Sequence, residues 1–210
     1  MTRKTILFDI DKTLLNTEVL VETINKRLAN ILNTEENNIK HMHHKYRRSL
    51  GSNIEYDPKD FVKFIIDSTS NGSQKKLINI YYGKDNIYEK CLFKEVDAVL
   101  KQLKKNHTLG VFSEGIAKFQ NHKFKSLGIE RFLEKDRVFI TSKKTTDSYL
   151  KRIPKDAIIV DDKLEIVELL DKKGFKVIWI NRKSKDRHPK IPTIHNLKDL
   201  LNSRILNDTL

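Results

Sequence analysis

The stretch Thr5-Ile6-Leu7-Phe8-Asp9-Ile10-Asp11-Lys12-Thr13-Leu14-Leu15 decides how the rest of the chain is read. Thr5–Phe8 is an apolar run of strand length, and two carboxylates one residue apart stand where it stops. In an open parallel sheet, ligands bind outside the carboxyl ends of the strands. Asp9 and Asp11 can therefore face one ligand, but their charges repel unless a cation or a proton compensates. Magnesium suits such a place, because it is usually held by one or two carboxylates, water and a substrate phosphate. That reading needs a third acid, and Asp161-Asp162 supplies one.

Working outward, Thr108–Phe112, Val138–Thr141 and Ala157–Val160 are further apolar runs of strand length, and Lys176–Ile180 follows Gly174 as another. Helical spacing separates them. Val96, Val99, Leu100 and Leu103 repeat at three and four; Phe119, Phe124 and Leu127 lead to a stop at Gly128; Ile166, Leu169 and Leu170 lead to Gly174. Strands alternating with helices imply βαβ units and a parallel sheet, so the fold class is α/β, a Rossmann-like core with helices on both faces. Residues 17–88 break the alternation. Val19, Ile24, Leu28, Ile31 and Leu32 form one helical stripe, Phe61, Phe64 and Ile65 another after the start signal Asp57-Pro58, and Leu77, Ile80 and Tyr81 a third after the turn Asn71-Gly72-Ser73. The expected organisation is a core of residues 1–16 and 89–210 with an all-helical cap, 17–88, inserted after the first strand.

Bulk properties set limits. With 210 residues and 38% hydrophobic residues the chain can bury a sizeable core, and seven Gly and four Pro argue against long disordered linkers. No apolar run approaches the roughly 18–20 residues of a membrane span. Met1-Thr2-Arg3-Lys4 is basic, but the acids follow too soon for a signal peptide. Cys91 is alone, which excludes an internal disulfide and fits a reducing cytoplasm. The 41 Lys plus Arg against 28 Asp plus Glu give +13, which favours anionic ligands. The basic residues are scattered, with clusters only at Lys45–Arg48 and Arg182–Lys185, so a solvated surface is expected rather than a nucleic-acid face.

Three further polar features sit at strand ends: Ser113 with Glu114-Gly115, Lys143-Lys144, and Asp161-Asp162. Each alone is weak, because strand-end loops are commonly polar. Together with Asp9 and Asp11, in this order, they resemble the motif set of the haloacid dehalogenase-like hydrolase superfamily over roughly residues 3–182. FDIDKTLLNT resembles its first motif, VFSEG the approach to its second, the lysine of KTTDSYL its third, and IIVDDK its acidic fourth.

The resemblance implies roles. Asp9 would attack phosphorus and carry a transient aspartyl-phosphate, and Asp11 would protonate the leaving oxygen and then deprotonate water. Ser113 would hydrogen-bond the phosphoryl oxygens, beside Glu114, and Lys144 or Lys143 would neutralise their charge, with the spacing to Tyr149-Leu150 favouring Lys144. Asp162 would hold Mg2+ with Asp9 and the backbone carbonyl of Asp11, while Asp161 is a second ligand or a positioning group. Relatives that cleave carbon–halogen bonds do not need Asp11, so the implied activity is a magnesium-dependent phosphatase of the superfamily's phosphatase branch, acting on a small phosphorylated metabolite. A phosphomutase, a nucleic-acid end phosphatase and a non-catalytic binding protein are the alternatives. Lys12 stands where relatives often have glycine, Glu114 where many have Asn, and Thr145 where proline is frequent. His41, His43 and His44 lack the spacing of common zinc sites and, among Lys40, Lys45, Arg47 and Arg48, read as a basic cap surface.

Overall fold

A computed structural model describes residues 3–51, 55–202 and 206 of the chain. Six parallel strands form one sheet: β1 (Thr5–Phe8), β2 (Thr108–Glu114), β3 (Val138–Thr141), β4 (Ile158–Asp161), β5 (Lys176–Ile180) and β6 (Thr193–Ile194), in the order β3-β2-β1-β4-β5-β6. The chain lays β2 and β3 on one side of β1 and β4 to β6 on the other. The order therefore reverses between β1 and β4, the kind of crevice where ligands bind in doubly wound sheets.

The strands alternate between two apolar layers, as a parallel sheet covered on both faces requires. Ile6, Phe8, Val111, Ile158 and Val160 pack into one cluster, and Leu7, Phe112, Ile159 and Val177 into the other, with Val167 and Leu170 behind them. The second layer is closed by α8 (Asp147–Leu150) and α9 (Leu164–Lys172), whose Leu150, Val167 and Leu170 are buried. On the first, α6 (Val96–Leu103) buries Val96, Val99, Leu100 and Leu103, the spacing expected of an amphipathic face.

Among the described residues, five helices lie between β1 and β2 ahead of α6: α1 (Thr17–Leu32), α2 (Glu36–Ser49), α3 (Pro58–Thr69), α4 (Gln74–Tyr82) and α5 (Ile87–Lys90). Asn16 caps α1 by accepting from the Val19 N–H, and Asn33 ends it in the left-handed conformation. Asp57 caps α3 by accepting from Lys59, with Pro58 in its first turn. The strands of chain that lead into and out of these helices are tied together. Asn16 N donates to Cys91 O at 2.8 Å, Phe93 N donates to Leu14 O at 3.0 Å, and Leu15 bridges Leu92.

Helix α2 corrects the surface reading of the histidine run. Ile39, His43 and Tyr46 recur at four and three, so they share the inward face, while His41 and His44 are exposed. The His43 ring stacks on Phe61 at 4.2 Å and its Nδ1 lies 3.0 Å from Asn25 Oδ1, making it part of the packing between α1, α2 and α3.

Candidate active site

Asp9 follows β1 and Asp161 ends β4, so neighbouring strands deliver both acids to the crevice. Asp9 is locked in the sheet by its own N–H, which donates to Val160 O at 2.9 Å. Carboxylate oxygens of Asp9, Asp161 and Asp162 lie within 4.8 Å of one another. Among them stands the ammonium of Lys144, 2.7 Å from Asp9 Oδ1 and 2.5 Å from Asp161 Oδ2. Lys144 is only 2% exposed, whereas Lys143 lies exposed on the rim of the adjoining cavity. The structure thus separates the two lysines, between which spacing favoured Lys144: Lys144 contacts the acids, and among the described residues no ion pair joins Lys143 to them.

The two acids at the end of β4 are also unlike. Asp161 is fully engaged, accepting from Lys144 through Oδ2 and from the Lys163 N–H through Oδ1 at 2.9 Å. The Asp162 carboxylate lines the cavity, and its backbone carbonyl is pinned by the indole N–H of Trp179 at 3.0 Å. Three carboxylates face one ammonium. Burial first, then the repulsion of Asp9 and Asp161, pushes the Asp162 carboxyl up to about 7. Burial, offset in part by Lys144 and reinforced by Asp161 and Asp11, pushes Asp9 up to about 6. Burial works against the charge on Lys144, but Asp161 and Asp9 outweigh it and hold the side chain protonated. Lys12 and Lys163 also offset charge on Asp162, yet its carboxyl stays raised, so the cluster keeps an excess of negative charge that matches a divalent ion with hard oxygen ligands. Asp9 and Asp162 are the residues that would hold such an ion.

Asp11 projects away from this cluster toward helix α7 (Ala117–Ser126). Its carboxylate accepts from Lys123 Nζ at 2.7 and 3.0 Å, from Gln120 Nε2 at 3.2 Å and from Thr17 Oγ1 at 3.0 Å. Burial alone would raise the Asp11 carboxyl; Lys123 and these hydrogen bonds win and hold it below the usual carboxylate range. Lys123 and Gln120 escaped the sequence reading. Their signal was available: they sit in the apolar stripe of Phe119, Phe124 and Leu127, where a buried Lys and Gln in the first turns after an active strand end need a polar partner.

Ser113 and Glu114 complete the end of β2. Ser113 is 1% exposed and its hydroxyl has no hydrogen-bond partner among the described residues, which leaves a donor free at the end of β2. Glu114 lines the cavity and accepts from the Lys144 N–H at 2.7 Å, which fixes the loop that carries the lysine. Lys12 adopts φ 58°, which explains why glycine suits this position. Its N–H donates to Leu15 O and Thr17 Oγ1, and its side chain lines the cavity.

The cavity itself, about 910 Å³, lies between the helical insertion and the sheet ends, with Leu20, Ile24 and Tyr56 on one side and Asp11, Asp162 and Phe119 on the other.

Comparisons with known proteins agree with this architecture. Similar solved structures include a HAD-hydrolase of Bacillus subtilis, YfnB, bound to magnesium, at 18% identity and TM-score 0.66 over 97% of this chain and 99% of that one. A HAD phosphatase of Thermococcus onnurineus aligns at 21% identity and TM-score 0.60, over 97% of each chain. A 2-haloacid dehalogenase of Pseudomonas syringae aligns at 17% identity and TM-score 0.65 over 100% of each. No curated protein sequence matches. The family profile of haloacid dehalogenase-like hydrolases matches residues 6–180, which takes in every acid and lysine described above, and the chain belongs to that family of hydrolases.

Proposed function

We propose that this hydrolase is a magnesium-dependent phosphatase that acts on a small phosphorylated metabolite through an aspartyl-phosphate on Asp9. The observation that carries the reading is the pairing of an acid cluster at Asp9, Asp161 and Asp162, raised by burial and mutual repulsion, with a separate, donor-held carboxylate at Asp11. Carbon–halogen cleavage, the activity named for several similar structures, would use Asp9 but has no need of Asp11.

In this reading Asp9 attacks phosphorus while the bond from phosphorus to the leaving oxygen breaks. Lys144, 2.7 Å from Asp9 and fixed by Asp161, aligns the nucleophile and offsets charge on the transferred group. A magnesium ion held by Asp9 and Asp162 would supply further charge neutralisation at the phosphoryl oxygens. Ser113 offers its free hydroxyl to those oxygens. Asp11 gives a proton to the leaving oxygen and takes one from the water that then attacks phosphorus, which frees Asp9 and releases phosphate. In the resting arrangement Asp11 is a carboxylate, the form that accepts the proton from water, and the ammonium of Lys123 at 2.7 Å is the proton donor within its reach. The helical insertion acts as a cap that keeps bulk water off the intermediate and restricts access to small molecules.

A test independent of the substrate uses beryllium fluoride, which mimics an aspartyl-phosphate. Bound fluorine resonances should appear in the NMR spectrum with magnesium and vanish in Asp9→Asn. Their absence from the folded wild-type protein with magnesium would contradict the proposed role of Asp9.

A further inference from the structure

Arg182 stands just beyond β5 and, among the described residues, outside the cavity lining, yet it reaches the turn that carries Asp11. Its base is stiff. The Asn181 N–H donates to Ile194 O at 2.8 Å, and the Asn181 side chain donates to Ser184 Oγ and Asp186 O. From this base the guanidinium makes three contacts. Nη2 donates to Thr13 O at 2.9 Å, Nη1 lies 2.8 Å from Glu95 Oε1, and the group sits 3.6 Å over the Phe93 ring.

Those contacts fall on both ends of the helical insertion. Thr13 belongs to the outgoing turn, which is closed by Leu14 N and Leu15 N donating to Ile10 O at 3.0 and 2.8 Å and by Lys12 N donating to Leu15 O at 2.8 Å. Phe93 and Glu95 belong to the returning chain, and Phe93 N donates to Leu14 O. The turn also places Asp11. The Thr17 hydroxyl, at the start of α1, accepts from Lys12 N and donates to the Asp11 carboxylate. A shift of the turn therefore moves Asp11 against Gln120 and Lys123, which stand on a different element.

Stability does not account for Arg182. Its side chain is 14% exposed and that of Glu95 8%, and taking both ions out of water is costly unless further hydrogen bonds satisfy them. Here Glu95 Oε1, although close, is off the line of any N–H, and Arg182 Nε has no partner among the described residues. Burial pulls the Arg182 pKa down, and Glu95 and Asp199 oppose it only in part. A buried ion pair this incomplete is weak evidence for stability, and fixing one geometry is the better-attested use of such pairs. The planar fork of arginine suits that use, since it meets Thr13 and Glu95 at once where a lysine is a single point charge.

We propose that Arg182 is a positioning residue: by holding Thr13 together with the returning chain, it fixes the Asp11 turn relative to the helical insertion, so that Asp11 and the cap keep one geometry during the reaction. The kinetic part of the test rests on the phosphatase reading, and the distance measurement does not.

Three variants separate this role from plain stability. Arg182→Met strands the buried carboxylate of Glu95 and should melt below wild type. Arg182→Met with Glu95→Met removes the stranded charge and should regain most of that loss. Glu95→Gln leaves the bond to Thr13 in place. Nitroxides at the exposed positions Lys76→Cys on α4 and Lys172→Cys on α9 report the distance from insertion to core by pulsed electron paramagnetic resonance, with Cys91 buried away from the label. Both variants that lack Arg182 should shift or broaden the distance distribution, and Glu95→Gln should keep that of wild type. In the double variant kcat on a phosphomonoester should stay about tenfold or more below wild type, with KM little changed because Arg182 does not line the cavity.

Wild-type distances or a wild-type kcat in the folded double variant would overturn the proposal, because stability alone would then explain the pair. A Glu95→Gln distribution as broad as that of Arg182→Met would also overturn it, since the ion pair and not the hold on Thr13 would be responsible. If the distances change as expected but wild type hydrolyses no phosphomonoester, the hold on the turn stands and the phosphatase reading falls.

Discussion

Asp11 is held by three side chains from two different segments, Thr17 at the start of α1 and Gln120 and Lys123 on α7. If Lys123 serves the proton chemistry of Asp11, its removal should hurt most when the leaving group needs a proton. Lys123→Met should lower kcat on alkyl phosphates by about a hundredfold, the lower end of what general acid–base assistance supplies. With nitrophenyl phosphate, whose leaving group departs unprotonated, it should change little. An equal loss on both substrates would reduce Lys123 to packing. At the neighbouring cluster the charge imbalance makes a second expectation. The Asp162 carboxyl sits at about 7 in the folded chain against 3.8 when free, so the folded state binds more protons between those values. Stability must then fall as pH rises through that window in the absence of metal. Asp162→Asn should therefore melt higher than wild type in EDTA near about pH 8, with the gap closing toward about pH 4. Thermal melts at both pH values check this, and a gap that widens on acidification would refute burial and repulsion as the source of the shift. At this scale Asp9 and Lys144 were legible because they follow strands with strong apolar patterns. Lys123 was legible only as an inward-facing polar residue, since a helical period shows which face is inward but not which polar partner waits there.

The strands were the most readable elements. Thr5–Phe8, Val138–Thr141 and Lys176–Ile180 stand in the structure with the ends read from the sequence. β6 was missed because two residues, Thr193–Ile194, carry no period. Helix α2 was missed as an element because its sequence is polar almost throughout, and Ile39, His43 and Tyr46 mark its inner face. Burial of a histidine in that face came from tertiary partners, Asn25 and Phe61, which no local pattern displays. Gly110 in β2 shows how closely the elements approach: a Cβ there would lie 2.2 Å from Arg137 O and 2.8 Å from a Leu7 methyl. Backbone cannot yield as a flexible side chain can. Gly110→Ala should cost about 2–4 kcal/mol in denaturant unfolding, in the range of severe overpacking. A loss under about 0.5 kcal/mol, typical of surface changes, would mean that β2 and the Arg137 turn do not meet so tightly.

At the scale of the whole molecule, one topological fact organises the rest. The strand order turns at β1 and β4, so the acids after both strands converge, while β2 and β3 bring Ser113, Glu114 and Lys144 from the other side. The helical insertion leaves and returns through the paired segments around Leu15 and Leu92, close to Asp11. Arg182 reaches from beyond β5 to this junction, donating to Thr13 O at 2.9 Å, pairing with Glu95 and lying 3.6 Å over the Phe93 ring. That architecture was legible from alternating strands and helices interrupted once. The contents of the cavity were not, because they come from residues scattered over α1, α2 and α7 with no shared spacing.

The most direct test of the central claim is phosphate release from a panel of phosphorylated metabolites, with magnesium or with EDTA, by wild type and by folded Asp9→Asn. The account expects release that requires magnesium and disappears in the variant. Phosphate release that persists in Asp9→Asn, or that is indifferent to EDTA, would contradict it.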